Sequence, residues 1–84
     1  MDRPLPHRID VFVAGCPLCR EALDLVCRLA PDADRIVVWD VRDETATARA
    51  RALGVTAVPA VAVDERLVCG GRGADEAALR AALA

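Results

Sequence analysis

Apolar and polar positions alternate between two periods along the chain, and the changes of period mark its elements. Arg8 to Val13 is short and rich in β-formers, which predicts a first strand. Gly15 breaks it, and Pro17 occupies the position a helix favours for its first residue. From Pro17 to Ala30 the apolar residues fall at 19, 22, 23, 26, 27 and 30, the spacing of one helical face. Pro31 ends that helix and Asp32-Ala33-Asp34 supplies a turn. Arg35 to Val41 is a second strand, whose unbroken apolar centre predicts burial on both faces. Acid at Asp43-Glu44 opens a second helix that runs to Leu53 and stops at Gly54. Ala60–Val63 and Arg66–Cys69 read as a hairpin turning at Asp64-Glu65, and an Ala-rich helix follows from about Ala74.

The predicted fold class is therefore α/β, in the order β-α-β-α-β-β-α. Two strand–helix–strand passages favour a parallel first pair joined by a right-handed crossover. The hairpin adds two antiparallel strands, giving a mixed four-stranded sheet flanked by helices. Residues 8–84 form a single domain, and residues 1–7, with two prolines and no periodicity, an extended N-terminal arm.

Composition narrows the function classes. Hydrophobic residues make up 55% of the 84, so a packed core is feasible, yet Phe12 and Trp39 are the only aromatics and small aliphatics must build it. The net charge of −2, with basic residues that are all arginine and scattered, argues against a nucleic-acid surface. The longest uncharged stretch, Ala52 to Val63, is too short to span a bilayer. Met1 to Asp10 lacks the apolar segment of a secretory signal, which predicts a cytoplasmic, reducing location. Cysteines in that compartment do chemistry more often than they staple a fold.

The chemistry is concentrated at Cys16-Pro17-Leu18-Cys19, on the junction of the first strand and first helix. A thiolate there meets unpaired backbone N–H groups and the positive end of the helix dipole, which lower a cysteine pKa. Cys16, before the helix, suits a nucleophile, and Cys19, one turn in, a resolving partner that attacks the mixed disulfide. No second close-spaced pair of ligands exists, so no structural zinc is expected and no metal ligands are assigned. The other signal is Thr56-Ala57-Val58-Pro59, between the second helix and the hairpin; a proline opening a strand is in itself only tolerated.

CPLC at 16–19, TAVP at 56–59 and the pair Gly70-Gly71, in this order and spacing, resemble the minimal thioredoxin/glutaredoxin fold over residues 8–84. The resemblance implies a thiol–disulfide oxidoreductase, with Cys16 as nucleophile and Cys19 as resolving thiol. Val58 would offer its backbone to an extended substrate, and Pro59, in cis, would lie beside the cysteines, with Gly70 and Gly71 also facing the substrate. It implies no bound cofactor beyond the redox-active Cys16–Cys19 disulfide, with glutathione as a candidate co-substrate. The chain departs from glutaredoxins at Val13, where they carry a basic residue. Its partners would be a disulfide-bearing protein or low-molecular-weight thiol, and a reductase or glutathione as electron donor. Neither nucleic acid nor membrane is expected, and the protein is expected to act as a monomer.

Two residues carry open alternatives. Asp10 stands six residues before Cys16, where thioredoxins bury an acid that takes a proton from the resolving thiol. Buried there its pKa would rise; the base rate for aspartate favours instead a solvated strand end. Cys69 ends the hairpin beside the glycines and is either an accessory thiol or a packing residue. Cys27 is expected on the inner face of the first helix and Trp39 in the core, with Arg49 and Arg51 on a solvated face. The competing functional reading is a soft-metal protein binding copper, zinc or mercury through the thiolate pair. It calls for a hairpin directly after the first helix and a strand at the end.

Overall fold

The computed structural model describes residues 7–15, 17–30, 35–71 and 75–83. The elements run β1 (Arg8–Val13), α1 (Pro17–Leu29), β2 (Arg35–Asp40), α2 (Glu44–Leu53), β3 (Ala60–Val63), β4 (Arg66–Gly70) and α3 (Glu76–Leu83). They form one mixed sheet in the order β2-β1-β3-β4, with β1 and β2 parallel and the other two pairings antiparallel. A helix therefore follows β2 and another follows β4, which is not the order the soft-metal reading calls for.

Strand alternation sorts the core into two layers. Ile9 and Val11 of β1 and Val61 and Val63 of β3 point to one face, where Leu25 and Val26 of α1 and Leu79 of α3 cover them. Phe12 and Ala60 point to the other and meet Ala50 of α2, with Trp39, Val41, Leu53, Val55 and Val58 packed around them. Alanine at positions 46 and 50 brings α2 close to the sheet, which is how a chain with two aromatics fills that layer.

Local signals set the turns. Gly54 takes φ +79, its N–H bonds Arg51 O, and Val55 N–H bonds Ala50 O, a Schellman end for α2. Asp64 and Glu65 both have positive φ, as a two-residue hairpin of matching twist requires. Asp64 is fixed there by the Arg8 N–H at 2.9 Å and His7 Nδ1 at 2.6 Å.

Burial of β2 on both faces does not occur. β2 is an edge strand, and α1 lies over β1 and β3 rather than over it, so Val38 remains 48% exposed. The strand ends at Asp40, α1 ends at Leu29 and β4 continues to Gly70. α3 begins at Glu76 because Asp75 caps it, its carboxylate accepting the Ala78 N–H at 3.1 Å. Residues 1–6 of the predicted arm, and the Ala74 start of α3, lie outside the described residues.

Candidate functional site: the carboxyl end of β1

Where β1 leaves the sheet, Gly15 turns the chain with φ +80 and α1 begins at Pro17. Cys16, the expected nucleophile, lies outside the described residues. Cys19 sits in the first turn of α1 with 1% of its surface exposed, and its Sγ accepts the Ala14 N–H at 3.3 Å. A thiol so placed gains from both a direct donor and the helix terminus when it becomes a thiolate.

The Val58–Pro59 bond is cis and Pro59 is fully buried. Register brings this loop to the end of the sheet where Cys19 lies. Phe12 faces Ala60 across the antiparallel β1–β3 pair, so Pro59 stands one step further, level with Val13. Val58 is half-buried against the Phe12–Ala60 layer. The glycine pair completes the wall. Gly71, at φ +86, donates its N–H to Pro59 O at 2.8 Å, and a Cβ there would come within 3.0 Å of Ala57 Cβ. Thus Cys19, Val58, Pro59, Gly70 and Gly71 all belong to one end of the sheet.

Asp10 does not belong to it. Its side chain is fully buried, not solvated, and it points to the α2 face of the sheet, whereas α1 with Cys19 covers the other. Its carboxylate accepts Trp39 Nε1–H at 2.9 Å, Arg49 Nη2–H at 3.1 Å and Arg8 Nε–H and Nη2–H at 3.3 Å each. Burial pushes its pKa up, but the Trp39 hydrogen bond and the Arg49 and Arg8 charges outweigh that and hold it below the ordinary carboxylate value. The expected rise is therefore reversed, because the acid is buried with its counter-charges. Arg49 is correspondingly not on a solvated face: it is 21% exposed and bridges Asp10 and Glu65. The signal was present, since Arg49 follows the buried Ala46 by three residues on a helix. Trp39 is half-buried, stacked on Phe12 with centroids 6.3 Å apart.

Cys27 is exposed rather than in the core, and borders an open groove with Glu21, Asp24, Arg28 and Glu76. Eight residues after Cys19, it is rotated by about 80° from it around the helix, and Val26 takes the inward place. Cys69 is half-buried against the α1–α3 layer and lines a cleft with Val55, Thr56 and Ala57. No group of three or more metal-ligating side chains occurs among the described residues, and no disulfide joins them. No described helix is long and apolar enough to cross a membrane. Alkylation of the native protein by iodoacetamide should accordingly label Cys27 readily and spare Cys19 until denaturant is added. Peptide mass mapping reads both, and equal labelling of the two would contradict the burial of Cys19.

A four-stranded mixed sheet with a cysteine in the first turn of α1, at the same end of the sheet as a cis-proline loop, defines a thioredoxin-like domain. The chain belongs to the thioredoxin domain family, whose model matches residues 7–84. It is also similar to an uncharacterized 9.0 kDa protein in the mobE 3′ region of Acidithiobacillus ferrooxidans, 45% identical over 76 residues, which are 88% of this chain and 89% of that protein.

Proposed function

We propose that the protein is a dithiol–disulfide oxidoreductase acting through Cys16 and Cys19. The observation that carries this reading is the buried Cys19 sulfur, hydrogen-bonded to Ala14 N–H at the sheet end that also bears Pro59. In the first step the Cys16 thiolate attacks a substrate disulfide; one new S–S bond forms and one substrate thiolate leaves. In the second, Cys19 attacks Cys16 Sγ, the mixed disulfide breaks, and the second substrate thiolate leaves. Two electrons pass to the substrate, the Cys16–Cys19 disulfide forms, and the departing thiolates take up protons from solvent. The Ala14 N–H offsets negative charge on Cys19 as it loses its proton. An extended substrate lies along the Val58 backbone, with Gly70 and Gly71 leaving room beside it.

The substrate class is a protein disulfide or a low-molecular-weight disulfide. The oxidised pair is returned to the dithiol by a reductase or by glutathione, and no bound cofactor takes part. A monomer in a reducing, cytoplasmic setting suits this cycle. The test is trapping: Cys19→Ser removes the resolving step, so a mixed disulfide through Cys16 should accumulate with a disulfide substrate and be visible by mass. Retained disulfide reduction in Cys16→Ser would overturn the assignment.

A further inference from the structure

The end of the sheet where Cys19 lies carries a cleft and, near it, two arginines that the chemistry above does not use. The cleft, about 190 Å³, is lined by Val13, Gly15, Cys19, Arg20 and Leu23. Its walls, Val13 and Leu23, are aliphatic and half-buried; Cys19 forms its inner end and exposed Arg20 its rim. Among the described residues the exposed Arg20 side chain has no ion-pair or hydrogen-bond partner, which leaves its charge to solvent at that rim.

The second arginine arrives from another element. Arg42 follows β2, and its guanidinium lies over the backbone of Gly15: a Cβ placed on Gly15 would be 3.5, 3.6 and 3.7 Å from Arg42 Nη2, Nη1 and Cζ. Asp40 holds it there by a two-point pair, accepting from Nε at 2.9 Å and from Nη2 at 2.6 Å. That pair uses the Nε–Nη2 edge of the guanidinium and leaves Nη1, near Gly15 on a largely exposed side chain, unengaged by Asp40. A planar donor fixed by a carboxylate presents its remaining N–H groups with little further loss of freedom.

We propose that Arg20 and Arg42 form a two-cation rim that selects anionic disulfides, those with a carboxylate a few bonds from the sulfur. The aliphatic segment between sulfur and carboxylate lies against Val13 and Leu23, and the carboxylate meets Arg20 and Arg42 Nη1. The inference rests on the oxidoreductase reading and names its substrate class.

The test is single-turnover oxidation of the pre-reduced protein, in a Cys27→Ser background that removes the exposed thiol. Three disulfides are compared: dithiodipropionate (anionic), hydroxyethyl disulfide (neutral) and cystamine (cationic). Each rate of Cys16–Cys19 disulfide formation is divided by the rate of the same reagent with dithiothreitol, which cancels intrinsic reactivity. At low salt the anionic reagent should react about fivefold faster than the neutral one, the size expected of exposed charge pairs, and cystamine should be slowest. The ratio should fall towards one as salt is raised, and in Arg20→Gln/Arg42→Gln. Equal normalised rates in the parent protein, or a preference that survives the double substitution, would overturn the rim while leaving the redox cycle intact. If none of the three reagents yields the Cys16–Cys19 disulfide, the oxidoreductase reading itself fails.

Discussion

Asp10→Ala is expected to destabilise the domain by about 3–5 kcal/mol, the usual cost of stripping one partner from a buried ion pair. The loss is large because the carboxylate is where three elements meet: Arg8 on β1, Trp39 on β2 and Arg49 on α2 all donate to it. Without it, the Arg49 guanidinium stays mostly buried with exposed Glu65 as its remaining ionic partner among the described residues. A small domain holds about 5–15 kcal/mol in all, so much of the folded population would be at risk on warming. Asp10→Asn should be milder, since its amide oxygen still accepts the Trp39 indole N–H. Linkage gives the pH dependence. The folded pKa lies below the unfolded value, so the contribution is full above the unfolded pKa and drains away as pH falls through the folded one. Urea unfolding, followed by the fluorescence of the lone Trp39, should therefore show the gap between parent and Asp10→Ala narrowing below about pH 4. A gap independent of pH in acid would mean that the carboxylate's charge contributes nothing.

Element order was legible because each boundary carried its own chemistry. Pro17 opens α1, Gly54 closes α2 and Asp64-Glu65 turns the hairpin, and in each case the structure uses the residue for that purpose. Of the residues named by motif, Cys19 and Pro59 stand at one end of the sheet, because strand register sets Pro59 level with Val13, while Cys16 lies outside the described residues. What did not show was anything that depends on which element covers which. An apolar run such as Ile36–Trp39 reads the same in a central strand as at an edge, and β2 is at the edge. The side of the sheet that Asp10 faces is fixed by where α2 lands, which no local signal states. Cys27 lay within the apolar spacing of α1, and only the positions of β3 and α3 decide that Val26 and not Cys27 points inward. The meeting of Arg42 with Gly15 joins residues far apart in the chain, through a loop whose composition looks merely solvated.

Gly71→Val is expected to cost about 2 kcal/mol of stability and to lower kcat/KM for disulfide reduction roughly tenfold, which is 1.4 kcal/mol in the barrier. Two effects combine. A branched side chain at φ +86 takes a left-handed backbone that costs about 1–2 kcal/mol for an L-residue. Its Cβ would also meet Ala57 Cβ at 3.0 Å, so either the Ala57–Pro59 loop or Gly71 must move, and the bond from Gly71 N–H to Pro59 O is strained whichever yields. Gly54→Val separates the two effects. Gly54 has nearly the same φ, +79, but nothing within 4 Å of its Cβ position. It should lose a similar stability through the end of α2 while keeping kcat/KM within about twofold of the parent. Loop displacement of even a fraction of an ångström matters for catalysis because attack on a disulfide needs the sulfurs brought into line. Chemical denaturation and steady-state reduction of a protein disulfide, with dithiothreitol as donor, measure both quantities in both variants. Equal losses of kcat/KM at the two glycines would show that general destabilisation, and not the contact between Gly71 and the Pro59 loop, governs substrate capture.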